Sequence, residues 1–315
     1  MQEHEPVNLA RALDGLRPKE KVPNSARVLD GWIAQAERQI GSDGGRLGWL
    51  VASTVVTAAL QLAVDEEDQP RFLLKGGTLL QHRLPGLSRS TTDLDGLVRG
   101  DLDEFIVKLD IVLARPWGPC TLRRGPVETI EVPNRVVKPR RFDIVVQVNG
   151  VTWRRVQVEV SPDEGAAGAQ SEPVLPPSLA GFGLPTPHLL AGLAMRYQIA
   201  QKIHAVTDPH EPPTFQNDRA RDVVDLLLLR DSVREAGAPT DAEIKPAVLD
   251  IFAARARDAI ALGWLPREWP APISAHPHWE VSFARAAASA GVVLSLTAAV
   301  VEANRWLQEI NATAP

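Results

Sequence analysis

The chain has 315 residues, 44% of them hydrophobic, a net charge of −5 and one cysteine, Cys120. Such a length and apolar share allow a sizeable core in two compact units or one elaborated domain, and exclude disorder as the default. The lone cysteine excludes an intrachain disulfide, the first residues carry no secretory signal pattern and no apolar run reaches spanning length, so the expectation is a soluble cytoplasmic protein with no membrane partner.

In chain order, residues 6–67 read as helical, in segments Val7–Leu16, Ala26–Ile40 and Leu47–Val64 with apolar residues at helical spacing. An acidic linker, Asp65–Asp68, precedes Pro70, and Phe72-Leu73-Leu74 is an apolar run short enough for a buried strand. Lys75-Gly76-Gly77 breaks that strand with two residues that tolerate unusual φ and close approach of backbone to a ligand, a turn suited to phosphate. After a short helix and a loop comes Asp93-Leu94-Asp95, where strand alternation points both carboxylates to one face. Thr91 lies on that side too, where a phosphate on its hydroxyl would bring about two negative charges into the site. Taken alone, a Gly-Gly pair is a turn, and an Asp-x-Asp pair is a solvated pair or a helix cap. Together they supply hard oxygen ligands for a divalent metal beside amides that face phosphate.

Asp101 or Asp103 caps an expected helix running to Leu113, with Phe105, Ile106, Leu109, Ile111 and Val112 on its buried side. Strands are expected at Thr121–Arg123, Glu128–Val132, Arg141–Val148 and Val151–Val160, with Asn149-Gly150 as a hairpin turn. Asp143 is a charged residue in an apolar strand and needs a partner: either a metal or an ion pair with Arg140, Arg141 or Arg154. Between Arg115 and Arg155 nine basic residues face three acids, a local excess of six in an acidic chain. This is either a solvated sheet face or a track for RNA, with Arg140 and Arg154 as candidate contacts.

Ser161–Pro187, rich in Pro, Gly, Ala and Ser, reads as a loop or linker. A mainly helical half is expected beyond it: Leu189–Thr207, carrying Lys202; Asp218–Arg230, with Asp222 and Asp225; Asp241–Leu262; and Trp279–Leu307. Lys202 and Asp222 form either a surface ion pair or part of a nucleotide site. His276-Pro277-His278 has no Cys, Asp or Glu at ligand spacing and reads as a loop.

The strand-Gly-Gly turn followed by Asp-x-Asp on the next strand resembles the DNA polymerase β type nucleotidyltransferase superfamily. The fuller string Lys75-Gly76-Gly77-Thr78 with Arg89-Ser90-Thr91-Thr92-Asp93-Leu94-Asp95 more narrowly resembles the AbiEii toxins, which include the mycobacterial Men-type toxins. Fifteen residues separate Gly77 from Asp93, more than in many superfamily members, and Gly77 stands where many carry Ser; both departures fit the narrower family. The lysine helix followed by Arg219-x-x-Asp222-x-x-Asp225-Leu226 matches the family's C-terminal pattern, so the resemblance spans residues 71–230.

The resemblance implies an α/β fold: a mixed-sheet catalytic domain with N-terminal helices over residues 1–160, a linker over 161–187, and a helical domain over 188–315 that completes the nucleotide site. It implies two Mg²⁺ held by Asp93, Asp95 and Asp143, and an NTP bound by Lys75, Gly76, Gly77, Thr78, Arg89, Thr91, Lys202 and Asp222. It further implies nucleotide transfer to RNA, at the 3′ end of tRNA in Men-type relatives, by a toxin with a cognate antitoxin. Two rivals are a nucleotidyltransferase acting on a small molecule, as aminoglycoside-modifying enzymes do, and a non-catalytic interaction protein with a vestigial site.

Overall fold

The helical periodicity of the N-terminal stretch produces three helices in a computed structural model that describes residues 9–41, 45–84, 91–213 and 215–314: α1 (Leu9–Asp14), α2 (Ala26–Ile40) and α3 (Arg46–Leu60). The Ser25 hydroxyl caps α2 by accepting the Val28 N–H at 3.3 Å, and Gly41 ends it at φ +71°, a left-handed conformation that glycine adopts without strain. Leu29, Ile33 and Ala36 recur at three- to four-residue spacing and are buried. Helix α3 is buried almost all round because it lies between α2 and the sheet, and its Thr54 hydroxyl is satisfied by the Leu50 carbonyl at 2.7 Å.

The strands are β1 (Phe72–Leu74), β2 (Leu94–Val98), β3 (Cys120–Arg124), β4 (Glu128–Thr129), β5 (Arg140–Val148), β6 (Val151–Pro162), β7 (Ser171–Val174) and β8 (Leu190–Leu193). They form one mixed sheet in the order β3-β5-β6-β2-β1-β8-β7, with β4 paired to β5. The pairs β2–β6 and β1–β8 are parallel and the others antiparallel. Asn149 and Gly150 turn the β5–β6 hairpin with φ of +50° and +76°, the left-handed pair that a two-residue hairpin requires. The expected mixed α/β fold is the one observed.

Helix α4 (Gly76–Arg83) follows β1, and α5 (Leu102–Leu113) starts at Asp101, whose carboxylate accepts the Asp103 and Glu104 N–H groups at 2.8 and 2.9 Å. Helices α2, α3 and α5 pack on the β3-β5-β6 region, so Phe142, Ile144, Val146, Val156, Val158 and Val160 face them and are buried. Alternation sends Arg141, Asp143, Arg155, Gln157 and Glu159 to the opposite, solvent-reached face. The C-terminal half packs α6 (Met195–Val206), α7 (Ala220–Ala236), α8 (Asp241–Ala261), α9 (Glu280–Ser289) and α10 (Leu296–Ala312) around one another. Among the described residues one apolar cluster runs from Leu13 through the sheet to Ile310.

Several local expectations change. The expected strand Glu128–Val132 shortens to β4, since the chain then bends past Pro133 and returns only through the Ile130 N–H to the Pro139 carbonyl at 2.9 Å. Residues 161–187, expected as a loop or linker, contain β7. The expected helix Leu189–Thr207 begins as strand: Leu190–Leu193 pairs with β1 and β7, and the Gln61 amide bonds the Ala191 backbone at 2.7 and 3.0 Å. Trp279–Leu307 divides at Gly291, φ +70°, into α9 and α10. Ile111, expected on the buried side of α5, is 64% exposed, and Leu102 and Leu113 are buried instead.

Candidate active site

Gly76 sits at φ +66°, and a β-carbon there would overlap the carboxylate of Asp95. Only glycine lets β1 turn into α4 this close to β2. The Lys75 N–H donates to the Asp95 carbonyl at 3.0 Å, and the Thr78 hydroxyl to the Asp93 carbonyl at 2.9 Å, so the glycine turn and the Asp-x-Asp strand are stitched together on both sides. Among the described residues no side chain caps the start of α4. Its first amides, at Gly76, Gly77 and Thr78, have no partner within the helix at that end.

Asp95 is half-buried, and this burial pushes its carboxyl up to about 6 from 3.8. Lys75 opposes that rise, Glu159 and Asp93 add to it, and Lys202 opposes it. Lys75 donates to the Ser161 hydroxyl at 2.6 Å, and its burial lowers the ammonium against the pull of Glu164 and Asp95. Buried Glu164 in turn joins Arg135, 2.7 Å away, to Arg255 of α8, at 2.9 Å.

Lys202, on α6, is buried and donates to Asp222 at 2.8 Å and Asp225 at 2.6 Å, both on α7. The surface-pair alternative therefore fails, because Asp225 is fully buried and Lys202 is close enough to act on Asp95. One helical turn earlier, Gln198 donates to the Gly76 carbonyl at 3.1 Å. Arg89 lies outside the described residues. Thr91 is partly buried, its hydroxyl 3.5 Å from the Asp93 carbonyl.

The register places Asp143 differently from the expectation. Asp95 pairs with Glu159 across β2–β6, and Asp143 pairs with Gln157 one strand farther out, where Arg155 donates to it at 2.8 Å. The carboxylate beside Asp95 is thus Glu159, bound by Arg141 through Nε at 2.8 Å. The arginine on Asp143 is Arg155 rather than Arg140, Arg141 or Arg154. Glu159 gave no such signal in the sequence, since it takes the ordinary polar place in the alternation Arg155-Val156-Gln157-Val158-Glu159-Val160.

Arg140 and Arg154, expected as RNA contacts, share the helix-covered face with Phe142 and Ile144, because residues an even number apart on a strand share a face. Arg154 pairs with Asp30 of α2 at 2.7 Å, and Arg140 approaches Asp103 of α5 at 4.0 Å. Of the nine basic residues in that stretch, six are in ion pairs: Arg124, Arg135, Arg140, Arg141, Arg154 and Arg155. Most of their partners lie outside the stretch, so the local charge excess of the sequence is largely neutralised in space. Arg123 and Arg155 are exposed on the face that Asp143 and Asp93 share.

Among the described residues no three His, Cys, Asp or Glu side chains converge as a ready metal-ligand group, the stacked rings of His210, His276 and His278 included. Asp93, Asp95 and Glu159 are nevertheless hard oxygen donors on neighbouring strand positions, and a carboxyl held near 6 by burial would gain from a divalent cation. Their donor chemistry suits a cation of the Mg²⁺ class, although the three side chains are not drawn together around one point and Arg141 bonds Glu159.

The sequence profile described as "Nucleotidyl transferase AbiEii toxin, Type IV TA system" matches residues 58–302. The chain belongs to the AbiEii family. No curated protein matches it in sequence. Among solved structures, this AbiEii chain is similar to MenT4, a nucleotidyltransferase toxin of Mycobacterium tuberculosis, at 16% identity over 91% of this chain and 97% of that one, TM-score 0.43. It is also similar to a putative nucleotidyltransferase of Helicobacter pylori, at 14% identity over 85% and 95%, and to JHP933 of Helicobacter pylori, at 15% over 85% and 92%, each with TM-score 0.43. As an AbiEii nucleotidyltransferase the chain is a transferase of a toxin–antitoxin family, whose members use NTP with divalent metal and have a cognate antitoxin. No helix among the described residues is long and apolar enough to cross a membrane.

Proposed function

We propose that this AbiEii chain is a cytoplasmic toxin that transfers a nucleoside monophosphate from an NTP to the 3′ end of a tRNA, releases pyrophosphate and thereby inhibits translation. The observation that carries the reading is the start of α4 lying against Asp93 and Asp95, with the helix that carries Lys202 bonded to the same turn through Gln198. The amides of Gly76, Gly77 and Thr78 receive the triphosphate oxygens. Lys202, held by Asp222 and Asp225, and Lys75, held by Ser161, place positive charge where the leaving pyrophosphate becomes more negative. Asp93, Asp95 and Glu159 would hold two Mg²⁺, with Asp143 in the next row outward. Bound there, the metal would neutralise the triphosphate and polarise the attacked α-phosphate.

A small-molecule acceptor is the second reading, and one observation favours it: the basic stretch that argued for RNA is mostly ion-paired. Incubating the purified protein with Mg²⁺, each α-labelled NTP and total tRNA separates the two. Label on tRNA is the expected result; label only on a small molecule, or no transfer with any NTP, overturns the proposal.

A further inference from the structure

The glycine turn has a support from the other half of the molecule. Gln198 of α6 is 2% exposed, and its Nε2 donates to the Gly76 carbonyl at 3.1 Å while its Oε1 accepts from Arg83 Nη1 at 2.5 Å. Arg83 is itself fixed, donating to the Leu193 carbonyl and to Glu172, each at 2.7 Å. A guanidinium has only donors, so it must face the amide oxygen, which leaves the Gln198 nitrogen turned toward Gly76.

The Gly76–Gly77 peptide is the backbone unit this contact holds. It opens the first turn of α4, and two residues without side chains make that turn the easiest part of the helix to deform, so a second bond on the Gly76 carbonyl matters there. In a trans peptide the C=O of Gly76 and the N–H of Gly77 point in opposite directions. Holding the carbonyl with Gln198 therefore also fixes the opposite direction taken by the Gly77 N–H, at the end of α4 that is stitched to Asp93 and Asp95. Lys202 lies four residues beyond Gln198 on the same face of α6, so one helix sets both the amide and the ammonium.

We infer that Gln198, oriented by Arg83, is a positioning residue that locks the Gly76–Gly77 peptide plane so that the Gly77 amide binds the NTP triphosphate. This rests on the nucleotidyltransferase reading above. Gln198→Met keeps the volume without the donor, and Gln198→Glu keeps an acceptor for Arg83 but sets an oxygen against the Gly76 carbonyl. Both variants should raise the KM for NTP by about tenfold or more, the scale of one lost well-aligned hydrogen bond, with kcat changed much less. A merely structural role would lower the unfolding midpoint and leave the KM of the folded fraction unchanged.

The wild type gives an independent readout. Labelling glycine with ¹³C′ and ¹⁵N isolates two amides, because the sequence has two Gly-Gly pairs, Gly44-Gly45 and Gly76-Gly77. Adding an α,β-methylene NTP analogue with Mg²⁺ should shift one of the two signals, the one absent from Gly77→Ala. Unshifted signals in a protein that binds the analogue, or a KM within twofold of wild type in both folded variants, overturns the inference. Failure of the wild type to bind or transfer any NTP overturns the nucleotidyltransferase reading instead.

Discussion

Replacing Asp95 with Asn should stabilise the metal-free protein while abolishing its activity. In the folded chain burial pushes the Asp95 carboxyl up to about 6 from its ordinary 3.8. The folded state thus holds this proton more tightly than the unfolded chain does, and wild-type stability falls as pH rises through that window. At 1.36 kcal/mol per pH unit, a gap of about two units amounts to about 3 kcal/mol lost by pH 8, an upper bound because Asp95 keeps some contact with water. The amide of the variant has no such ionisation. Urea unfolding of wild type and Asp95→Asn in EDTA, at pH 4 and pH 8, measures it: the variant's relative stability should be higher at pH 8, by up to about 3 kcal/mol. Adding Mg²⁺ at pH 8 should then stabilise the wild type and not the variant. A stability difference that is flat with pH, or larger at pH 4, would refute the claim that burial strains this carboxylate.

Lys202→Met should destabilise by up to about 3–5 kcal/mol, since it removes the ammonium that buried Asp222 and Asp225 share, and Lys202→Arg should not restore NTP use because a guanidinium cannot occupy the ammonium's position; thermal unfolding and NTP kinetics check both. Gly76→Ala should destabilise by more than about 1–2 kcal/mol, the left-handed penalty alone, because the added carbon also displaces the Asp95 carboxylate; denaturant midpoints and transfer assays should fall together. Asp93→Ala should remove transfer and leave the circular dichroism of the fold intact, and wild-type-like transfer by it would sink the catalytic assignment. If RNA follows the open face of β5 and β6, Arg123→Ala with Arg155→Ala should flatten the log-log salt dependence of RNA binding by about 1.4, at about 0.7 per contact, whereas Arg154→Ala should instead loosen α2.

Elements whose causes are local could be read along the chain alone. Phe72–Leu74 is a strand because three apolar residues stop at Gly76-Gly77, α2 runs from Ser25 to Gly41 because both caps lie in the chain, and Asn149-Gly150 turns the hairpin because both residues accept positive φ. The glycine turn and the Asp-x-Asp were legible for the same reason, and they carried the family. Strand pairing was not local. Leu190–Leu193 looks helical until β1 and β7 lie beside it, and Glu159 gained its place next to Asp95 only from the parallel register of β2 and β6, which joins residues 64 apart in sequence. Counting charge along the chain gave an excess of six, but ion pairs form across space, and Asp30, Asp103, Asp110 and Glu164 meet those arginines from elsewhere. Alternation told which residues of a strand share a face. Only the packing of α2, α3 and α5 decided which face is buried, and so turned Arg140 and Arg154 away from the site and left Arg123 and Arg155 on it.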